Sequence, residues 1–250
     1  MKIIRRKTRT INLGGVKIGG TSPISVQSMT KTDTLDVAAT VAQIKELELA
    51  GCDIVRTAVK NESCCDALAK IMKKINIPLE ADIHFDYWLA IRAIEAGVDG
   101  VRLNPGNVCK KEEVAAVINL AKKRHIPVRV GLNSGSVRPR DEGAHKKGLG
   151  RAEPRLPELM AKTASDYLKL IESLDFRDLM VSLKCSDVPQ TIDAYRLMAS
   201  RCDYPFHLGV TAAGPELSGT VKSTLGIGIL LAEGIGDTIR VSLTGDPVQE

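Results

Sequence analysis

Eight short apolar runs, rich in β-branched residues, punctuate the chain: PISVQSMT (23–30), DIVRTAV (53–59), LEADIHF (79–85), GVRLNPGN (100–107), PVRVGLNSGS (127–136), LMVSLKCS (179–186), PFHLGVTAAG (205–214) and TIRVSLTG (238–245). Between consecutive runs there is room for a helix, and the intervening sequence mostly places apolar residues at helical spacing. A strand–helix alternation repeated eight times predicts an α/β fold, a TIM (β/α)8 barrel. Two alternating runs around Gly14-Gly15 predict a hairpin ahead of the first barrel strand, where it would plug the bottom of the barrel. The first helix should begin at Thr34 or Asp36, bury Val41, Ile44, Leu47 and Leu49, and end at Gly51. A later helix should run from Asp86 to Gly97, and another over KEEVAAVINLAKKRH (111–125), acidic early and basic late as its dipole prefers. Asp246-Pro247 has the form of a helix start. The chain then reaches Glu250, so the eighth helix is expected to be truncated.

The 250-residue length suits one barrel, taken as a single substrate-binding domain over 1–250, and the 44% apolar fraction excludes a disordered chain. Aromatic residues make up 3% of the chain, which argues against base-stacking platforms and hence against nucleic-acid binding. No window holds the ~18 apolar residues of a membrane span. The basic start MKIIRRKTRT is not followed by an apolar signal core, so a cytoplasmic location is expected. None of the cysteines (Cys52, Cys64, Cys65, Cys109, Cys185, Cys202) stands in a C-x-x-C pair. Neither a metal-ligand set nor a disulfide framework is expected from them.

The net charge of +5 is modest, but its placement is not. Arg56, Arg102, Arg129, Lys184 and Arg240 lie inside the apolar runs, where a cation is costly unless an anion accompanies it. Barrel chemistry sits at the carboxyl ends of the strands. There, Arg102 with Asn104, Arg129 with Asn133, and Arg240 with Ser242 share faces through the period of two. Several cations converging from different strands match a diphosphate better than one carboxylate. Carboxylates such as Asp82 are the alternative partners. Glu80, Asp82 and His84 alternate on one face, which suits acid/base work by Asp82 and His84 and also admits a metal. His207 is either a ligand contact or a core histidine, whereas His125 and His145 belong to the surface or loops. The long segment 134–156, with Arg138, Arg140, His145, Lys146, Lys147, Arg151 and Arg155, reads as a basic flap over the ligand or as a partner-contacting or solvated loop. GPELSGTVKS (214–223) fails the phosphate-loop spacing. Lys222 and Ser223 remain candidates for a phosphate contact after the seventh strand.

Taken in order, P-I-S-V-Q-S-M-T, G-C-D-I-V-R, A-D-I-H-F, V-R-L-N-P-G-N, R-V-G-L-N-S-G-S, S-L-K-C-S-D, H-L-G-V-T and L-x-E-G-I-G-D-T-I-R-V-S-L resemble the barrel domain of the 4-hydroxy-3-methylbut-2-en-1-yl diphosphate synthase family, essentially from Ile11 to Glu250. The resemblance implies a cyclic substrate, 2-C-methyl-D-erythritol 2,4-cyclodiphosphate. Its ring would be opened and dehydrated with two electrons from reduced ferredoxin or flavodoxin. By position, Arg56, Arg102, Arg129, Lys184, Arg240 and Ser242 would hold the diphosphate, with Asn133 and Thr211 lining the pocket. The family also implies a [4Fe–4S] cluster, held by three cysteines and a glutamate in a separate C-terminal domain, and a homodimer in the full-length form. That domain is absent from this sequence, so the chain is expected to bind substrate without reducing it. The family motif H-L-G-x-T-E-A-G carries a glutamate where this chain has Ala212. Loss of a proton-donating carboxylate there would lower turnover by ~10²–10⁴-fold. Two further readings are a diphosphate-binding barrel without chemistry, and a barrel acting on pterin or sugar phosphates.

Overall fold

In the computed structural model, residues 3–137 and 155–250 are described. A hairpin, β1 (Thr10–Leu13) and β2 (Val16–Gly19), precedes the barrel strands β3 (Ser25–Met29), β4 (Ile54–Val59), β5 (Leu79–Ile83), β6 (Gly100–Leu103), β7 (Val128–Asn133), β8 (Leu179–Lys184), β9 (His207–Leu208) and β10 (Thr238–Ile239). Between them run α1 (Val37–Leu49), α2 (Glu62–Met72), α3 (Tyr87–Ala96), α4 (Lys111–Arg124), α5 (Leu156–Glu172), α6 (Val188–Ala199) and α7 (Glu216–Ala232). The strands pair in parallel in the order β8-β7-β6-β5-β4-β3-β10-β9, and a bridge from Val181 to Phe206 closes the ring. This is the TIM barrel expected from the eight apolar runs. Most of the segment read as a basic flap, including Arg138, Arg140, His145, Lys146, Lys147 and Arg151, lies outside the described residues.

The local signals work as their chemistry requires. Asp36 caps α1 by accepting from the Ala39 amide, and Asp86 caps α3 by accepting from Trp88. Gly97 ends α3 at φ 96°, a left-handed position that favours glycine. Leu49 departs from expectation: it is 89% exposed, whereas Val41, Ile44 and Leu47 are buried. Two residues beyond Leu47 the helix has turned about 200°, so Leu49 faces away from the sheet. After β10, Asp246 accepts from the Val248 amide and starts one 3₁₀ turn, Pro247–Gln249. Among the described residues, no helix is long and apolar enough to cross a membrane.

Period two divides each strand between two environments. Val55, Val101, Val130 and Leu183 face outward and are buried against the helices with Leu68, Ile94, Val117 and Leu168. Each such side chain contributes roughly 1.5–3 kcal/mol. Inside, the barrel floor is apolar. Ile11, Leu13 and Ile18 of the hairpin pack with Ile54 and Met180. A Cβ at Gly100 would lie 3.0 Å from Leu13 Cδ1, so the missing side chain admits the hairpin. Above the floor, Gln27, Glu80, Arg129 and His207, one from every other strand, form a polar layer of the kind barrels stack.

Candidate functional site

The polar layer supports what lies above it. Arg129 and Glu80, both side chains at most 1% exposed, form an ion pair at 2.5 Å. Gln27 ties them together, donating to Glu80 Oε2 at 3.1 Å and accepting from Arg129 Nη1 at 3.2 Å. His207 is fully buried in the same layer, and both its ring nitrogens lack a partner among the described residues. Burial, and then the charges of Lys184, Arg129, Arg56 and Arg240, push its pKa well down, so the ring is neutral. Arg129, read from sequence as a ligand contact, and His207, read as either a ligand contact or a core histidine, therefore sit beneath the cavity and do not line it.

The cavity opens at the carboxyl end of the strands and has a volume of about 240 Å³. Arg56, Asp82, His84, Arg102, Asn133, Lys184, Thr211, Ala212, Arg240 and Ser242 line it, all of them singled out in the sequence. Met29, Ser182 and Val210 line it as well. Ser182 could have been found from period two, because it precedes Lys184 by two residues on β8. Met29 gave no such signal, yet its Sδ accepts from Arg56 Nη2 at 3.0 Å. Asn104 is buried elsewhere: its Oδ1 accepts from the Gly106 amide and fixes the turn after β6. Ser223 is buried on α7 and Lys222 is exposed on it, and neither lines the cavity.

Two glycines make the cationic lining possible. One period above Arg129 and His207, the strands carry Gly131 and Gly209. A Cβ on Gly131 would lie 2.5 Å from Arg102 Nε, and one on Gly209 would lie 2.9 Å from Lys184 Nζ. Arg102 thus lies across β7, donating to the Gly131 carbonyl at 2.8 Å and to Asp82 Oδ1 at 3.1 Å. Asp82 also sits 3.4 Å from Arg56 Nε and 3.4 Å from His84 Nε2. Burial alone would raise the Asp82 carboxyl. Arg56, the His84 hydrogen bond and Arg102 together hold it well below the usual carboxylate range. It is therefore ionised and orients the half-exposed His84 ring. Asn133 Oδ1 accepts from Thr211 Oγ1 at 3.3 Å across the mouth.

The cations differ in what neutralises them. Arg56 and Arg102 share Asp82, Arg129 has Glu80, and Arg240 Nη2 lies 3.3 Å from Glu250 Oε2. Lys184 has no carboxylate and no hydrogen-bond acceptor among the described residues. It is buried, and burial followed by the charges of Arg56, Arg129, Arg240 and Arg102 pushes its pKa well down. Among the described residues the five cations have three carboxylates between them, so the site as built is short of negative charge.

Ala212 stands at the rim, exposed, at φ 50°. A residue with a Cβ in this left-handed region is strained by roughly 1–2 kcal/mol. Ala212→Gly is expected to raise stability by about 1 kcal/mol in urea denaturation, part of the gain being lost to the greater freedom of glycine in the unfolded chain. A second cleft, of about 360 Å³, lies near Gly14, Lys73 and Asp99 and contains none of the residues that line the first. Among the described residues, no group of three His, Cys, Asp or Glu side chains could hold a metal ion.

Comparison with known proteins places this geometry. Dihydropteroate synthase from Stenotrophomonas maltophilia matches with a TM-score of 0.67 over 97% of this chain and 94% of that one, at 13% identity. N-acetylneuraminic acid synthetase from Leptospira borgpetersenii serovar Hardjo-bovis matches with a TM-score of 0.61 over 93% and 77%, at 15% identity. At such identities the likeness shows the barrel alone. The sequence relatives are nearer. The proteins named 4-hydroxy-3-methylbut-2-en-1-yl diphosphate synthase (flavodoxin) from Clostridium perfringens and Caldanaerobacter subterraneus are 51% and 53% identical to it. The matches cover 98% and 99% of this chain and 68% of each relative. The protein of the same name from Pseudomonas aeruginosa is 51% identical, over 99% of this chain and 65% of its own. The family described as the GcpE TIM-barrel domain matches residues 8–250. The chain belongs to the 4-hydroxy-3-methylbut-2-en-1-yl diphosphate synthase family of oxidoreductases and carries its TIM-barrel domain.

Proposed function

We propose that the barrel mouth holds the diphosphate of 2-C-methyl-D-erythritol 2,4-cyclodiphosphate, for reductive ring opening and dehydration to 4-hydroxy-3-methylbut-2-en-1-yl diphosphate. The observation that carries this reading is the charge arrangement at the strand ends: Arg56, Arg102, Lys184 and Arg240 line one cavity, and Lys184 has no counter-charge among the described residues. A diphosphate supplies that charge and several acceptor oxygens at once. Lys184 and Arg240 bind the phosphates, Ser242 and Ser182 offer hydroxyl donors, and the Asn133–Thr211 pair orients the ligand. Ionised Asp82 lies against His84 Nε2 and holds the half-exposed ring in place at the cavity wall, where it can hydrogen-bond the ligand.

The two electrons would come from reduced flavodoxin, as the names of the relatives indicate, or from ferredoxin. The iron–sulfur cluster that the resemblance implies does not fit the described residues. Cys64 and Cys65 are buried side by side on α2, Cys52 and Cys185 are buried on other segments, and among the described residues no metal-holding group is found. No step is assigned to such a cluster in this chain.

Titration calorimetry with the cyclic diphosphate tests the reading. One molecule per chain should bind, more weakly as salt is raised. Absence of binding overturns the proposal. A second reading, a barrel that binds the diphosphate without turning it over, is favoured by Ala212, whose methyl group puts no carboxylate at that position. Product formed in the presence of reduced flavodoxin supports the first reading. Binding without product supports the second.

A further inference from the structure

The barrel strand that leads to Arg240 and Ser242 stops short of both. β10 is two residues long, and its ladder ends at Ile239, before either side chain is reached. Two backbone bonds continue the path, from Arg240 N to Leu208 O and from Thr244 N to Gly214 O, both 3.0 Å. The remaining ties run through Glu250 and Lys31. The Glu250 side chain is 2% exposed. Its Oε1 accepts from the Leu243 amide at 3.0 Å and lies 2.9 Å from Lys31 Nζ, while its Oε2 meets Arg240 Nη2 at 3.3 Å. Lys31 Nζ also donates to the Leu243 carbonyl at 2.9 Å and to the Gly245 carbonyl at 2.5 Å. Lys31 follows β3, the first barrel strand, so these contacts join the last strand to the first above the end of the sheet.

We propose that Lys31 and Glu250 form a clamp that positions Arg240 and Ser242 toward the cavity, as positioning residues for the anionic ligand. The inference rests on the diphosphate reading of the cavity. The charge of Glu250 makes the claim testable by sign. A carboxylate beside Arg240 repels an anionic ligand, so if it acted only through its charge, its removal would tighten anion binding. If it acts by fixing the segment 240–245, its removal weakens binding although a repulsive charge has gone, because a misplaced binding group loses its geometry.

The test pairs calorimetric titration of inorganic pyrophosphate with amide hydrogen exchange on the 250-residue chain, Glu250→Gln and Glu250→Ala. In Glu250→Ala, affinity should fall about tenfold, and the Leu243 and Thr244 amides should exchange faster while those of β7 keep their protection. Glu250→Gln keeps an acceptor for the Leu243 amide and should fall between the wild type and Glu250→Ala in both readouts. Equal or tighter binding by Glu250→Ala overturns the clamp, as does unchanged protection at Leu243 and Thr244. Failure of the wild type to bind pyrophosphate and the cyclic diphosphate overturns the diphosphate reading instead. Exchange at Leu243 and Thr244 then decides the clamp by itself.

Discussion

Lys184→Met is expected to lower affinity for the cyclic diphosphate by about 100-fold or more while leaving the free protein at least as stable as before. Both halves follow from the absence of a carboxylate partner among the described residues. In the free protein the amine is buried among Arg56, Arg102, Arg129 and Arg240, and its pKa is pushed well below the usual lysine range by burial and then by those charges. Methionine keeps most of the volume and removes a poorly solvated polar group, so folding loses nothing. The ligand reverses the balance, because an anion beside Lys184 favours its charged form. Binding therefore takes up a proton wherever the free amine is neutral.

The pH dependence has a defined sign. Above the last ionisation of the ligand itself, affinity should fall as pH rises, by up to about tenfold per unit, until the pKa of the bound lysine is reached. Lys184→Met should lose that slope. Calorimetry in two buffers of different ionisation enthalpy should show proton uptake for the wild type and little for the variant. Unchanged affinity in Lys184→Met would remove this residue from the ligand. The same linkage governs the free fold. With its folded pKa lowered, Lys184 gives up its proton on folding, so wild-type stability should rise with pH between the depressed folded value and the ordinary lysine value.

The ring of strands was legible in the sequence because a parallel barrel buries both faces of each strand, which leaves continuous apolar runs. The residues at the mouth were legible for the same reason: Arg102 or Lys184 inside such a run has no structural excuse without a partner. Depth was not legible. Arg129 and Arg102 look alike in V-R-V and V-R-L and are register partners on β7 and β6, yet one reaches the cavity and the other lies below it. What separates them is strand stagger together with the choice of carboxylate, Glu80 or Asp82. Neither can be counted from periodicity within one strand. The sequence leaves His207 open between ligand contact and core for a related reason, since its place in the lower layer depends on its neighbours in the ring. Glu250 gave no signal at all: its partners Lys31 and Arg240 are 219 and 10 residues away in the chain and meet it only after the ring closes.

The lower layer should show its nature in stability. Arg129→Met is expected to destabilise the fold by about 3–5 kcal/mol, because it leaves the Glu80 carboxylate buried without its cation. Glu80→Leu should cost a comparable amount by stranding Arg129, which is fully buried and whose pKa is already pulled down by burial despite Glu80. The double variant, Glu80→Leu with Arg129→Met, should recover most of that loss, since removing both charges of a buried pair is often neutral. Recovery will be incomplete, as Gln27 loses the partners of both its amide atoms. Urea denaturation of the two single variants and the double variant measures the coupling directly. Additive losses would mean that Arg129 and Glu80 do not interact. The same variants separate floor from wall: at temperatures where the double variant is folded it should bind the diphosphate within about tenfold of the wild type, because Arg129 meets Glu80 rather than the cavity. Loss of binding comparable to that in Lys184→Met would place Arg129 on the ligand after all.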